Sequence, residues 1–212
     1  PYMGRMAEAA DFAAMALEVS RRSNIAGGIG YASVTLGLMK ALEGDLAEGR
    51  ALSEDAVVIG ERIRLDGLRI QGWLNLAVID VMEDHPQDAM NHLWLASEIV
   101  KYFEDREGAA LALEVASTLA TYRSDYLTAA RAEASAEALR NAIGMPIWPV
   151  MDMLKQANAA QMRLQLGDEA YAAAVEEARL ADPWEVLDDA VGVKHLSEAA
   201  EAIREESVIT PM

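Results

Sequence analysis

The chain has 212 residues and a formal net charge of −17 at pH 7. That charge opposes nucleic-acid phosphates and anionic membrane, so neither is an expected partner. With no cysteine, disulfides and thiolate metal sites are excluded, and no apolar run is long enough to span a bilayer. The acidity keeps a domain with much apolar surface in solution; a basic partner is the sharper alternative. A cytoplasmic setting fits the lack of cysteine and of a signal segment. Apolar residues make up 52%. Ala, Leu, Glu and Met dominate and β-branched runs are rare, which predicts an all-α protein.

Pro1 to Ser23 is predicted as one helix, with Met6, Ala9, Phe12, Ala13, Ala16, Leu17 and Val19 as its buried stripe. Asn24 to Gly30 is glycine-rich and is predicted as a turn. No strand precedes it and no Walker-type run follows, so it is not a phosphate loop. Helices then follow to Leu42 and over Leu46–Arg64, with Gly44-Asp45 between them. The central hairpin pairs Leu68–Met82 with Pro86–Phe103 about the turn Asp84-His85-Pro86. A third hairpin begins at Gly108, runs to Tyr122, is capped by Ser124-Asp125 and ends at Ile143-Gly144. Pro146 and Pro149 break the pattern. Helices to Leu166, over Glu169–Leu180 and from a capping box at Asp182-Pro183-Trp184-Glu185 to Val191 complete the reading. From Gly192 to Met212 a charged helical or flexible tail is expected.

Three columns of small residues recur with a period of forty: Gly37, Ala77, Ser117; Gly49, Ala89, Ala129, joined by Ala9; and Ala56, Ala96, Ala136, joined by Ala16. Within a unit they are separated by twelve and seven residues. Small side chains belong where two helices of a hairpin cross closely or where one hairpin rests on the next. The alternative is a generic antiparallel bundle without repeats.

This spacing resembles the tetratricopeptide repeat, and Trp73, Leu36 and Leu76 fall on that family's aromatic and leucine positions. The usual period is about 34 residues; here it is forty. The resemblance implies a right-handed superhelical solenoid of antiparallel helix pairs over residues 1–191. Its repeats would be a partial one at 1–24 and full ones at 25–66, 67–105 and 106–144, followed by C-terminal helices at 149–191. The first helix of the chain matches the second helix of a unit, and the chain opens on Pro, a pattern that fits a segment of a longer array.

The resemblance also implies a concave face lined by first helices. Its positions would be Tyr31, Val34, Leu38 and Ala41; Gln71, Leu74, Val78 and Val81, with Asn75 at the edge; and Leu111, Glu114, Thr118 and Thr121. That lining is mostly apolar, which suits a small apolar effector or a peptide. It lacks the Lys/Arg clamp that some members use for peptide carboxylates. Alternatively, the C-terminal helices fold back and fill it.

Ala129-Ala130-Arg131, Ala136-Glu137-Ala138-Leu139-Arg140, Ile143-Gly144-Met145-Pro146 with Pro149, and Gly167-Asp168-Glu169-Ala170-Tyr171 followed by Glu177 and Arg179 form a further pattern. It resembles the end of the repeat region in large MalT-like regulators of the LuxR type and in related cyclase-linked signalling proteins. Val175 stands where that family usually has an aromatic residue. Those proteins carry an ATP-hydrolysing module before the repeats and often a DNA-binding domain after them. Neither module's motifs occur here, apart from a trace at Ile209-Thr210-Pro211, so the resemblance assigns neither ATP nor DNA binding to these residues.

His85, His92 and His195 show no metal-ligand spacing, and no nucleophile elbow is present. Carboxylate pairs such as Glu54-Asp55 and Glu104-Asp105 read as solvated faces. The eleven methionines fit core packing better than a ligand pocket. The sequence therefore predicts no enzyme, cofactor or metal. It predicts the sensor and protein-binding part of a larger bacterial transcription or signalling regulator, taking a protein, peptide or small effector, with homo-oligomers allowed. The alternative is a standalone scaffold that assembles proteins without an effector.

Overall fold

A computed structural model describes residues 2–147 and 149–192. Among them every regular element is helical: α1 (Tyr2–Arg22), α2 (Ala26–Glu43), α3 (Leu46–Ile63), α4 (Asp66–Met82), α5 (Pro86–Phe103), α6 (Arg106–Tyr122), α7 (Tyr126–Ile143), α8 (Pro149–Leu166), α9 (Asp168–Leu180) and α10 (Pro183–Val191). None is long and apolar enough to cross a membrane. The tail expected from Gly192 onward, with His195 and Ile209-Thr210-Pro211, lies outside the described residues after Gly192 itself.

The turns keep a strict metre. Asn24, Gly44, Arg64, Asp84, Glu104, Ser124 and Gly144 all have positive φ, and each lies twenty residues after the one before. The N–H of the following residue then donates to the carbonyl five residues back, from Ile25 to Ser20 through Met145 to Arg140, at 2.8–3.0 Å. This is the six-to-one hydrogen bond that closes a helix through a left-handed residue. Asp45, Asp105 and Asp125 then start the next helix by accepting from backbone N–H groups at 3.1–3.2 Å. Only two of the seven left-handed positions are glycine, so a glycine search alone does not find the metre.

The helices pack in consecutive pairs. α2 lies on α3, α4 on α5 and α6 on α7, while α3 and α5 pass each pair on to the next. α2 also touches α4, and α4 touches α6, so these three form one layer. All nine members of the small-residue columns in α2–α7 are buried. Gly37 and Gly49 mark a close crossing: a Cβ on Gly49 would sit 2.8 Å from the Gly37 carbonyl oxygen and 3.0 Å from the Ala41 nitrogen. The largest core cluster runs from Ile70 in α4 to Val191 in α10. α8 and α9 pack on α7, and α10 covers α5, α6 and α7 with Val186, Leu187 and Val191 buried. The Lys101 ammonium holds α10 in place, 2.6 Å from Asp188 and 2.7 Å from Glu98.

Three local expectations need correction. Asn24–Gly30 is not a glycine turn, because α2 already begins at Ala26. Gly30 serves packing: a Cβ there would lie 2.2 Å from Leu68 Cδ2, so the buried Leu68 side chain of α4 would have to shift. In α1 the buried residues are Ala10, Ala13 and Leu17, whereas Phe12, Ala16 and Val19 are exposed. Ala9 is half-buried, and the side chain of Met6 lies outside the described residues. The small-residue columns thus do not extend to Ala16, because no helix covers that face of α1 among the described residues. At Asp182 the carboxylate accepts from Trp184 N–H at 3.0 Å rather than from the residue three positions on, so it is a cap of the shorter kind.

Ala96 is fully buried in the column shared with Ala56 and Ala136. Ala96→Trp is expected to lower unfolding stability by about 3 kcal/mol or more, read from the urea midpoint; an unchanged midpoint contradicts the packing register. Glu104 holds a left-handed φ of 52° with a Cβ that disfavours it. Glu104→Gly is expected to raise the same midpoint, by about 0.5 kcal/mol, because the relieved strain exceeds glycine's extra chain entropy.

Candidate functional site

A solvent-open cavity of about 260 Å³ lies against the α2–α4–α6 layer. Its lining follows the forty-residue period. Val34, Leu74 and Glu114 are equivalent positions of successive pairs; so are Leu38, Val78 and Thr118, and Thr35, Asn75 and Val115. Gln71 and Leu111 form a fourth set. Nine of the thirteen groove residues expected from the sequence therefore meet at one cavity. Tyr31 is the equivalent of Gln71 but does not line it. It is 43% exposed, with its hydroxyl 3.6 Å from the place a Gly67 Cβ would take. Ala41, Val81 and Thr121, one turn further along their helices, also do not line the cavity. Among the described side chains none from α8, α9 or α10 lines it, so the described part of the C-terminal helices leaves it unfilled.

Two polar devices shape the wall. Asn75 donates from Nδ2 to the Val34 carbonyl at 2.8 Å and ties α4 to α2. Arg140, on α7, meets Glu114 of α6 with both prongs: Nε donates to Oε1, and Nη2 donates to Oε2 at 2.7 Å. Its third arm, Nη1, donates to the Pro146 carbonyl at 3.0 Å. The side chains are 9% and 12% exposed. A fork-to-fork pair in so dry a place is rigid, and through Pro146 it holds Met145 and Pro146 as the last part of the lining. The sequence reading placed Glu114 in the groove but missed Arg140, because its partner lies 26 residues away in the preceding helix.

A second polar cluster lies beside the layer. Asp80 of α4 is 1% exposed. Its carboxylate meets His92 Nδ1 of α5 and Arg50 Nη2 of α3, each at 2.5 Å, and Arg50 also reaches Glu83 at 2.5 Å. The indole of Trp73 stacks on the His92 ring at 5.2 Å between centroids, with 16° between the planes. Burial pushes the Asp80 carboxyl up, but hydrogen bonds from His92 and Arg50 outweigh it and hold it below the usual carboxylate range. Ligand atoms of Asp80, Glu83 and His85 come within 4.8 Å of one another. Arg50 already bridges the two carboxylates, so a guanidinium occupies the place a metal ion would need. The signal available in the sequence was an acid set among Leu74, Leu76, Ala77 and Ile79, since a buried carboxylate requires partners.

A third feature is a mixed-charge cavity of about 590 Å³ among α7, α8 and α9. Burial raises the pKa of Glu133 in its wall despite Lys155 at 3.4 Å. The Arg163 guanidinium lies 4.8 Å from the centre of the Tyr171 ring.

No family model matches the chain, and no curated protein matches it.

The Asp80 cluster makes stability depend on pH in a defined direction. Its folded-state pKa is depressed, so its contribution is complete above the ordinary Asp value of about 4 and is lost as pH falls through the lower folded value. Asp80→Asn is expected to lower stability by about 1–3 kcal/mol at pH 7. The gap to wild type should close as urea midpoints are followed below about pH 4. A gap that stays constant to pH 2.5 contradicts the paired carboxylate.

Proposed function

We propose that this chain is a non-catalytic sensing and interaction module with a tetratricopeptide-like solenoid architecture. It works within a larger bacterial regulator of the MalT-like LuxR type and takes its effector in the cavity of the α2–α4–α6 layer. The observation that carries this reading is the periodic lining: one set of helix positions, used three times, yields a single apolar pocket. A core has no need to leave such space open, and mostly apolar walls with a few placed polar groups are the usual make-up of ligand sites. An occupant would bear on three helix pairs at once and stiffen their stacking. That stiffening is how binding here would reach whatever domains flank the array.

Support also comes from the polar devices. Arg140–Glu114 and Asn75–Val34 fix the walls without filling the space. The Asp80 cluster joins α3, α4 and α5 away from the cavity lining.

A thermal-shift screen of metabolites and short peptides tests the reading. A true ligand at a hundred times its Kd adds about 2.7 kcal/mol to stability. Val78→Trp, which places an indole in the cavity, is expected to abolish the shift while leaving the far-UV helical signal intact. A screen without a hit, or a hit that survives Val78→Trp, contradicts the assignment of the site.

A further inference from the structure

The chemistry of the cavity's occupant follows from which of its charges are already used. Building on the ligand-site reading above, we infer that the cavity selects a small uncharged molecule with an apolar body and a hydrogen-bonding head, and rejects anions and cations of the same shape.

Among the described residues the only ionic groups in the lining are Glu114 and Arg140, and they neutralise each other. Both Glu114 oxygens accept from Arg140, and the three Arg140 nitrogens donate to Glu114 and to Pro146. Three of the five Arg140 N–H donors are engaged and its charge is balanced by Glu114, so an entering carboxylate meets no uncompensated cation. An entering ammonium finds no carboxylate oxygen without a guanidinium partner. In an apolar site an uncompensated charge costs several kcal/mol, which offsets much of what the contacts of a short chain return. The remaining polar groups are neutral: Gln71, Asn75, Thr35 and Thr118. The amides of Gln71 and Asn75 offer both donors and acceptors, which suits a hydroxyl, ketone or amide head. Val34, Leu38, Leu74, Val78, Leu111 and Met145 supply the apolar walls.

Size narrows the class further. At about 260 Å³ the cavity falls just below the range of about 300–1,000 Å³ typical of drug-sized ligands. A helix about 10 Å across does not fit. A compact molecule therefore fits better than a helical peptide. The net charge of −17 adds a long-range bias against anions.

The test uses the uncharged fluorophore N-phenyl-1-naphthylamine as reporter and three competitors of one chain length at pH 7: 1-octanol, octanoate and octylammonium. Octanol is expected to displace the fluorophore at concentrations at least tenfold below those of the two ions. Because an alcohol enters any greasy site more readily than an ion, the deciding measurement is the same series on Glu114→Gln. That variant leaves Arg140 without its counter-charge. The ratio of octanoate to octanol affinity is expected to rise at least tenfold; Arg140→Gln is expected to shift the ratio toward octylammonium in the same way. If either variant unfolds, the other supplies the readout, and wild-type protein at 0.5 M salt separates the long-range charge from the local pair. Equal displacement by all three competitors, or a selectivity unmoved by both variants, overturns the inference but leaves the cavity as a binding site. Fluorophore binding that Val78→Trp does not reduce overturns the site itself.

Discussion

The structure depends on how closely two helices can approach. Where Gly37 faces Gly49 the absence of bulk brings two backbones together, and the equivalent Ala77, Ser117, Ala89 and Ala129 are all fully buried. The gain is van der Waals contact along the whole crossing, and the requirement is that no larger side chain intrude. A single pair of this kind cannot bury its own apolar face. Each pair therefore needs the next, and the chain answers with units of one length. The equality of length is what lines up α2, α4 and α6 as a layer and puts equivalent residues side by side in one wall.

The pocket is a by-product of this regularity that later residues refine. Equivalent positions converge because the units are equal. The pocket stays open because Arg140 and Glu114 hold the segment after α7 at its rim and because α10 docks on α5, α6 and α7 instead. Departures from the repeat are where individuality lies. Asp80 has Lys40 and Ala120 as its equivalents, and Trp73 has Ser33 and Leu113. The cluster these residues build with His92 and Arg50 therefore belongs to the middle unit alone, and it clamps that unit to the one before.

Much of this was legible in the residues. Helix identity followed from composition and from apolar periodicity, and the forty-residue period followed from alanine and glycine columns whose members are buried in α2–α7. Nine groove positions could be named because equal units make equal faces. The halved, twenty-residue metre of left-handed turns was hidden, since Arg64, Glu104 and Ser124 carry no glycine signature and are set by the six-to-one hydrogen bond. Gly27, Gly28 and Gly30 misled in the opposite sense: the same residue that frees a turn also permits close packing inside a helix. The face of α1 was misread because apolar spacing marks Phe12, Ala16 and Val19 as well as Ala13 and Leu17, whereas α1 packs chiefly on α2 and buries only the narrower stripe. Arg140 was out of reach because ion pairing between helices depends on tertiary position rather than on spacing.

The account stands on interchangeable forty-residue units. The most direct measurement is urea unfolding of a chain in which residues 65–104 are duplicated in tandem, so that Glu104 is followed by a second copy beginning at Leu65. Interchangeable units predict one cooperative transition, unchanged ellipticity per residue, and an m-value enlarged with the added buried surface. Loss of the cooperative transition or of helical signal in the inserted unit would contradict it.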